Sequence, residues 1–498
     1  MNASDTSLNG SIALYGDFDK QYISGRSRYG NGNGEIRDLD PYTSAVLTEI
    51  PVASRSDVDD AFQAAHTAQV EWARTSAAER AGVLLRAATI MERRKEEIVG
   101  WLIRESGSTR IKATLEWQAV YAMMTQFAGY PYQAKGEILP ADVPGKEHRV
   151  YRRPIGVVSV ISPWNWPLHL TTRSIAPALA LGNAVVVKPA SETPVTGGLL
   201  LARLFEEAGL PPGLLNVVIG NSSEIGDHFV THPLSPFVSF TGSTPVGRHV
   251  GSLAMTGPTL KRAALELGGN APLVVLEDAD LELAVHAAIV GKFLHQGQIC
   301  VATNRIMVHR SIHDSFVEAF VARASALKVG NPNDADTVIG PVISQRQADA
   351  LKRLLARGLE QGAKPVLGGQ FNGLVLPPQV LTGVQPEHEL AQQESFGPIA
   401  PILRFNTEEE ALEAVNGTEF GLSSAVFTRD LERGARFASH VEAGMTHIND
   451  FTANDYPNTP FGGEKNSGLG RFGGQWIIDE MTRTHWVSVQ HAPRTYPF

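Results

Sequence analysis

Residues 154–188 read PIGVVSVISPWNWPLHLTTRSIAPALALGNAVVVK. Two short runs rich in β-branched residues, 156–161 and 184–188, flank a stretch with helical character over 170–181. Strand, helix and strand in so short a span predict a βαβ unit. The runs are apolar throughout rather than alternating, as parallel strands covered on both faces must be. The pattern continues with strand candidates at 215–219 and 237–240, separated by helical segments near 194–208 and 224–231. The expected fold class is α/β, with a Rossmann-type parallel sheet of the kind that holds a dinucleotide.

Upstream, the first fifty residues are rich in Gly, Ser, Asn and Asp and predict loops and short strands. Helices are predicted over 58–73 and 78–102, the second on the spacing of Leu84, Leu85, Ala88, Met91, Ile98 and Leu102. Downstream, a second α/β block opens near Leu265, with a strand at 273–276 and a helix at 281–295, and alternates to about Ala443. Residues 449–474 are dense in Gly, Asn and Pro and predict loop. Residues 133–152 look like an extended hairpin turning at Pro144–Gly145, and 485–490 have β character. Such segments are marginal alone and have no obvious partner, so they are expected to pair across a subunit interface. The resulting division assigns 1–132 and 153–264 to a dinucleotide-binding domain and 265–474 to a catalytic domain. It leaves 133–152 and 475–498 as oligomerisation strands.

The chain has 498 residues, enough for two or three domains, and a formal net charge of −9. That balance argues against a nucleic-acid groove or an anionic membrane as partner. The most apolar run, near 175–187, is broken by Pro177, Gly182 and Asn183 and is too short to span a bilayer. The start lacks a basic patch followed by an apolar stretch, so a cytoplasmic location is expected. A single cysteine, Cys300, allows neither an internal disulfide nor a multi-thiolate metal site, and no metal is expected.

Four features carry chemistry. Cys300 follows a predicted helix and Gly297, so it belongs on a loop or a helix start. Free N–H groups there are expected to lower its pKa and make it a nucleophile. Glu266 lies between Leu265 and Leu267 and before Gly268-Gly269. Its apolar neighbours imply burial, which brings a carboxylate toward useful base strength. Ser162-Pro163-Trp164-Asn165-Trp166-Pro167 follows the first sheet strand, where ligands of α/β sheets bind, and Asn165 offers an N–H to an oxyanion. Phe240-Thr241-Gly242-Ser243 opens a helix whose N–H groups could take a phosphate. The usual G-x-G-x-x-G is absent at both turns, so a nucleotide site here is a variant one. His295 lies five residues from Cys300 at a helix end and is not expected to form a hydrolase dyad with it.

Taken together, Pro163-Trp164-Asn165, Gly242-Ser243-Thr244, Glu266-Leu-Gly-Gly, Gly297-Gln298-Ile299-Cys300, Glu394-Ser-Phe396-Gly-Pro398 and Pro460-Phe461-Gly-Gly resemble the aldehyde dehydrogenase superfamily in its motif order. The resemblance covers nearly the whole chain. It implies Cys300 as nucleophile, Asn165 and the Cys300 N–H as oxyanion donors, and Glu266 as the base that activates water. It implies NAD or NADP held by Ile161, Ser162, Trp164, Lys188, Ser191, Gly242, Ser243, Gly247, Leu267, Glu394 and Phe396. It also implies a small-molecule aldehyde as partner and a homodimer or homotetramer. Residues 293–300, Asn449-Asp450 and Glu464-Lys465-Asn466-Ser467 resemble the benzaldehyde and vanillin dehydrogenase branch. Trp166, Ile299, Val301, Phe451, Tyr456 and Phe461 are then candidate walls for an aromatic substrate, and Arg173 a candidate partner of a ring substituent.

One departure bears on the cofactor. Where NAD-preferring relatives often carry Glu three residues after the lysine, this chain has Ser191, with Glu192 one position on. Loss of that repulsion predicts use of NADP as well as NAD. Three alternatives remain open at this level: the same chemistry on an aliphatic aldehyde or semialdehyde, transfer of the acyl group to coenzyme A, and a catalytically silent binding protein of this fold.

Overall fold

A computed structural model describes residues 13–498. Residues 1–12, which open the first predicted segment, lie outside the described residues. Val157–Ile161 is central to an eight-stranded sheet ordered Arg26–Arg28, Gln21–Ile23, Leu215–Val217, Ala184–Lys188, Val157–Ile161, Phe237–Thr241, Arg262–Glu266 and Gly468–Leu469. The inner strands run parallel, with Val158 opposite both Val185 and Phe237. The chain grows outward from Val157–Ile161 to one side, then crosses back to lay Phe237–Thr241 on the other. That reversal puts the carboxyl ends of Val157–Ile161 and Phe237–Thr241 side by side, where α/β sheets bind ligands.

Helix Pro167–Ala180 follows the first of these ends. Pro167 suits its first turn, where no backbone N–H is needed. Every residue of this helix is buried, which makes its two large polar side chains, His169 and Arg173, conspicuous.

A second sheet has the order Lys364–Leu367, Gln379–Thr382, Ile399–Phe405, Arg305–His309, Pro272–Val275, Ser423–Phe427 and Met445–Ile448. All its pairs are parallel except the first. Alternate residues enter separate cores: Val274 and Met307 face one, Leu273 and Ile306 the other. Both faces are covered, so polarity does not alternate along these strands.

The hairpin and tail depart from expectation. Thr482–Gln490 runs antiparallel to Lys146–Pro154 within the same chain, from Thr482 opposite Pro154 to Gln490 opposite Lys146, and Glu137–Leu139 completes a three-stranded sheet. These strands therefore find partners without a second subunit. The predicted helix over 78–102 is two helices, Ala77–Arg93 and Lys95–Ser106, broken at Arg94. There φ is −103° and the guanidinium ties Glu97 and Glu207 together. Helix Arg110–Phe127 escaped the sequence reading because both apolar and charged residues on it, Lys112 and Glu116 included, are buried. Among the described residues no helix is long and apolar enough to cross a membrane.

Candidate active site

Cys300 ends a tightly pinned turn. Helix Leu281–Phe293 gives way to Leu294–Gly297, where His295, Gln296 and Gly297 all take positive φ. Gln296 Nε2 holds this turn by donating to the carbonyls of Gly107 and Pro341 at 3.1 and 2.8 Å. Gln298 Oε1 accepts from Ile343 N at 3.0 Å. The loop after Glu266 passes so close that a Cβ on Gly269 would lie 2.1 Å from the Cys300 carbonyl oxygen. The Gly-Gly pair after Glu266 therefore permits a backbone approach that no side chain would allow.

Two cavities meet at Cys300. A cleft at the sheet's carboxyl end is lined by Trp164, Asn165, Gly242, Ser243, Glu266, Leu267, Cys300, Glu394 and Phe396. A second, largely apolar pocket is lined by Trp166, Ile299, Val301 and Phe461, with Leu115, Ala119, Leu294 and Ala453. Asn165, Leu170 and Cys300 border both. Asn165 Nδ2 donates to the Gln298 carbonyl at 2.9 Å, which orients the amide beside the cysteine loop. Its own carbonyl accepts from Lys112 Nζ at 2.8 Å, and Lys112 forms a fully buried ion pair with Glu116. Glu116 also accepts from His169 N at 3.1 Å. The pair thus clamps the Asn165 loop to the helix that follows, a role the sequence reading missed.

The electrostatics correct one expectation. Burial pushes the Cys300 thiol well above its usual pKa, and the Glu266 carboxylate adds to that; Arg173 opposes it. The cysteine lies in a turn, as expected, but the Glu266 acid acts on it there. Glu266 is itself fully buried, as expected, but its environment is ionic: Arg173 Nη2 donates to Oε2 at 3.0 Å. Its Oε1 has no hydrogen-bond partner among the described residues. Glu394 accepts from Gly269 N at 3.0 Å, and burial lifts its pKa to about 8. Burial brings the neighbouring Lys292 amine down to about 7. Trp164 and Phe396 meet edge to face, ring centroids 5.4 Å apart, with Phe396 held at φ +48°.

The remaining sequence candidates lie elsewhere. Arg173 does not face the pocket: it is buried against Glu266, Asp455, Phe461 and Phe472. Tyr456 is 56% exposed and lines neither cavity, and Phe451 lines neither. In their place the pocket wall carries His169 and Asp455, 3.0 Å apart. Gly247 serves packing, since a Cβ there would meet the Leu267 side chain at 2.1 Å. His295 is fully buried, and among the described residues neither ring nitrogen has a hydrogen-bond partner, Cys300 included, so the two form no dyad.

Ile161, Ser162, Lys188 and Ser191 sit farther along the same sheet edge, outside the cleft lining. The residues there fit a dinucleotide. Ser162 Oγ is buried without a hydrogen-bond partner among the described residues. Helix Thr244–Thr256 begins with no side-chain cap, leaving its first N–H groups free. The Lys188 amine bonds Ser222 Oγ at 3.0 Å. A phosphate and ribose would satisfy such groups.

The aldehyde dehydrogenase family model matches residues 29–487. The chain belongs to the aldehyde dehydrogenase family. It is 50% identical over 476 residues to a vanillin dehydrogenase of Corynebacterium glutamicum, covering 96% of this chain and 98% of that one. It is 47% identical to the benzaldehyde dehydrogenase YfmT of Bacillus subtilis, covering 97% and 99%. A crystal structure of an NAD-dependent benzaldehyde dehydrogenase from C. glutamicum superposes with a TM-score of 0.89 at 47% identity, covering 96% and 100%. As an aldehyde dehydrogenase, this chain is an oxidoreductase acting on an aldehyde group.

Proposed function

We propose that this aldehyde dehydrogenase oxidises aromatic aldehydes of the benzaldehyde and vanillin type to carboxylic acids, with NAD or NADP. The observation that carries the reading is the position of Cys300 at the junction of a polar cleft and an apolar pocket, with Asn165 and Glu266 beside it. The flat walls given by Trp166 and Phe461 suit a ring. The similarity to vanillin and benzaldehyde dehydrogenases points the same way.

In this reading the Cys300 thiol, which burial keeps protonated, gives its proton to solvent as the sulfur adds to the aldehyde carbon. Asn165 Nδ2 and the Cys300 N–H hold the oxygen as charge develops on it, each donor contributing about 3 kcal/mol to the transition state. Bound NAD(P) supplies the hydride acceptor that leaves a thioester on Cys300. Ser162, Lys188, Ser243 and Glu394 would bind its ribose and phosphate groups, and Trp164, Leu267 and Phe396 would pack around it. Glu266 then takes a proton from water as the water attacks the thioester. Because Ser191 replaces a repelling acid, NADP is accepted beside NAD. The assembly we propose is a cytoplasmic homodimer or homotetramer, extending the three-stranded sheet that holds Thr482–Gln490.

A kinetic panel of benzaldehyde, vanillin, hydroxybenzaldehydes and aliphatic aldehydes, each with both cofactors, tests the reading. Aromatic substrates are expected to give the highest kcat/KM. Uniformly higher values for short aliphatic aldehydes would overturn it.

A further inference from the structure

Arg173 is the one cation on the buried helix Pro167–Ala180, and its side chain is 1% exposed. A buried guanidinium must be matched by opposite charge and hydrogen bonds. Nη2 donates to Glu266 Oε2 at 3.0 Å and Nη1 to Asp455 Oδ2 at 3.1 Å. The same Asp455 oxygen meets His169 Nε2 at 3.0 Å. The Phe461 and Phe472 rings lie against the guanidinium at 4.7 and 4.2 Å, which leaves it little room to turn. One oxygen of Glu266 is therefore anchored, while Oε1 has no partner among the described residues.

We propose that Arg173 is the positioning residue for Glu266: it fixes one carboxylate oxygen so that the other is aimed at the water that attacks the Cys300 thioester. The proposal rests on the reading of Glu266 as the water-activating base. Arg173 touches no reacting atom and acts only through Glu266. In the step it supports, Glu266 Oε1 takes a proton from water and the water oxygen bonds to the thioester carbon. The carbon–sulfur bond then breaks with its electron pair on sulfur, and Glu266 returns the proton to that sulfur. The products are the carboxylic acid and the free thiol, with no change of oxidation state.

The geometry has a direct consequence. A glutamate released from its anchor regains rotamer freedom, and a misplacement of about 1 Å can cost on the order of 100-fold in rate.

The test uses the full-length enzyme, an aldehyde that the wild type turns over, and the variants R173Q, R173K and E266Q. Rapid mixing with NAD follows the first turnover, and acid-quenched intact-mass measurement reports acyl on Cys300. R173Q is expected to release about one NADH per site at close to the wild-type rate, then slow about 100-fold with acyl-enzyme accumulating. R173K keeps the charge and is expected to recover roughly a tenth of wild-type turnover. A burst lost in step with turnover, wild-type turnover by R173Q, or an R173K no better than R173Q would overturn the proposal. Should R173Q not fold, R173K decides: acyl-enzyme must accumulate in it, and wild-type behaviour overturns. An E266Q enzyme turning over normally would sink the reading of Glu266 itself, whatever Arg173 does.

Discussion

The two cavities that meet at Cys300 are built by different means. One wall of the polar cleft is made of turns that leave neighbouring parallel strands: Trp164 and Asn165 after Val157–Ile161, Gly242 and Ser243 after Phe237–Thr241, Leu267 after Arg262–Glu266. Strand pairing fixes where each turn begins. The apolar pocket draws on residues from Leu115 to Phe461, brought together by packing of two helices, the cysteine turn and a late loop. Backbone register dictates that wall of the first cavity, and side-chain fit dictates the second. The first should therefore be intolerant of change in its chemistry, and the second tunable.

The largest effect belongs to the junction. Cys300→Ala is expected to lower aldehyde oxidation by at least about 10⁴-fold. Dinucleotide binding, followed by quenching of tryptophan fluorescence, should stay within about twofold, because the cleft keeps its other walls. Residual turnover near wild type would mean that the two cavities do not share this sulfur. Next in size is Asn165→Ala. Losing one oxyanion donor costs on the order of 10²–10³ in kcat with little change in KM. A change in KM alone would place Asn165 in substrate binding instead.

The pocket side should respond by selectivity. Trp166→Ala and Phe461→Ala each remove a flat wall, and ring packing contributes about 0.5–1.5 kcal/mol beyond area. The expected outcome is a fall of roughly 3–10-fold in kcat/KM for benzaldehyde relative to a short aliphatic aldehyde. Phe461 also lies on Arg173, so its loss should slow deacylation as well, visible as partial acyl-enzyme accumulation. Equal losses on both substrate classes would make the aromatic walls mere packing.

The same contrast explains what could be read without coordinates. The parallel sheet announces itself through β-branched runs at 157–161 and 184–188, because covering both faces leaves no room for polar residues. Cys300, Glu266 and Asn165 stand beside glycines and prolines whose spacing is itself chemical information. The second layer is silent. Lys112 and Glu116 lie on a helix with no clear polar face, and neither points to Asn165 in sequence. Asp455 meets His169 across 286 positions. Arg173 is a candidate partner of a ring substituent in sequence, and its true partner appears only with Glu266 at 3.0 Å. The sign of the Cys300 shift was misread for the same reason: it depends on which charges face the sulfur, a matter of packing and not of local chain order.

The smallest expected effect lies at the far end of the polar cleft's sheet edge. Burial pushes the Lys188 amine down to about 8, with Glu192 holding it partly up. In the free enzyme the amine is thus charged below that pH and neutral above it. The unfolded chain keeps its lysine protonated to about 10.4, so between the two values it binds more protons than the native state. Lys188 accordingly detracts from stability at neutral pH, and that cost fades as pH rises through this window. Binding of NADP should run the opposite way. Its 2′-phosphate gains from the ammonium below pH 8, so KM for NADP is expected to rise about 3–10-fold from pH 7 to 9, on the order of 1 kcal/mol for one partly screened charge pair. KM for NAD, lacking that phosphate, should change by less than about twofold. Lys188→Ala should flatten the NADP profile and leave the NAD profile nearly as it was. Parallel profiles for the two cofactors in the wild type would remove Lys188 from phosphate recognition and leave Ser191 without the consequence drawn from it.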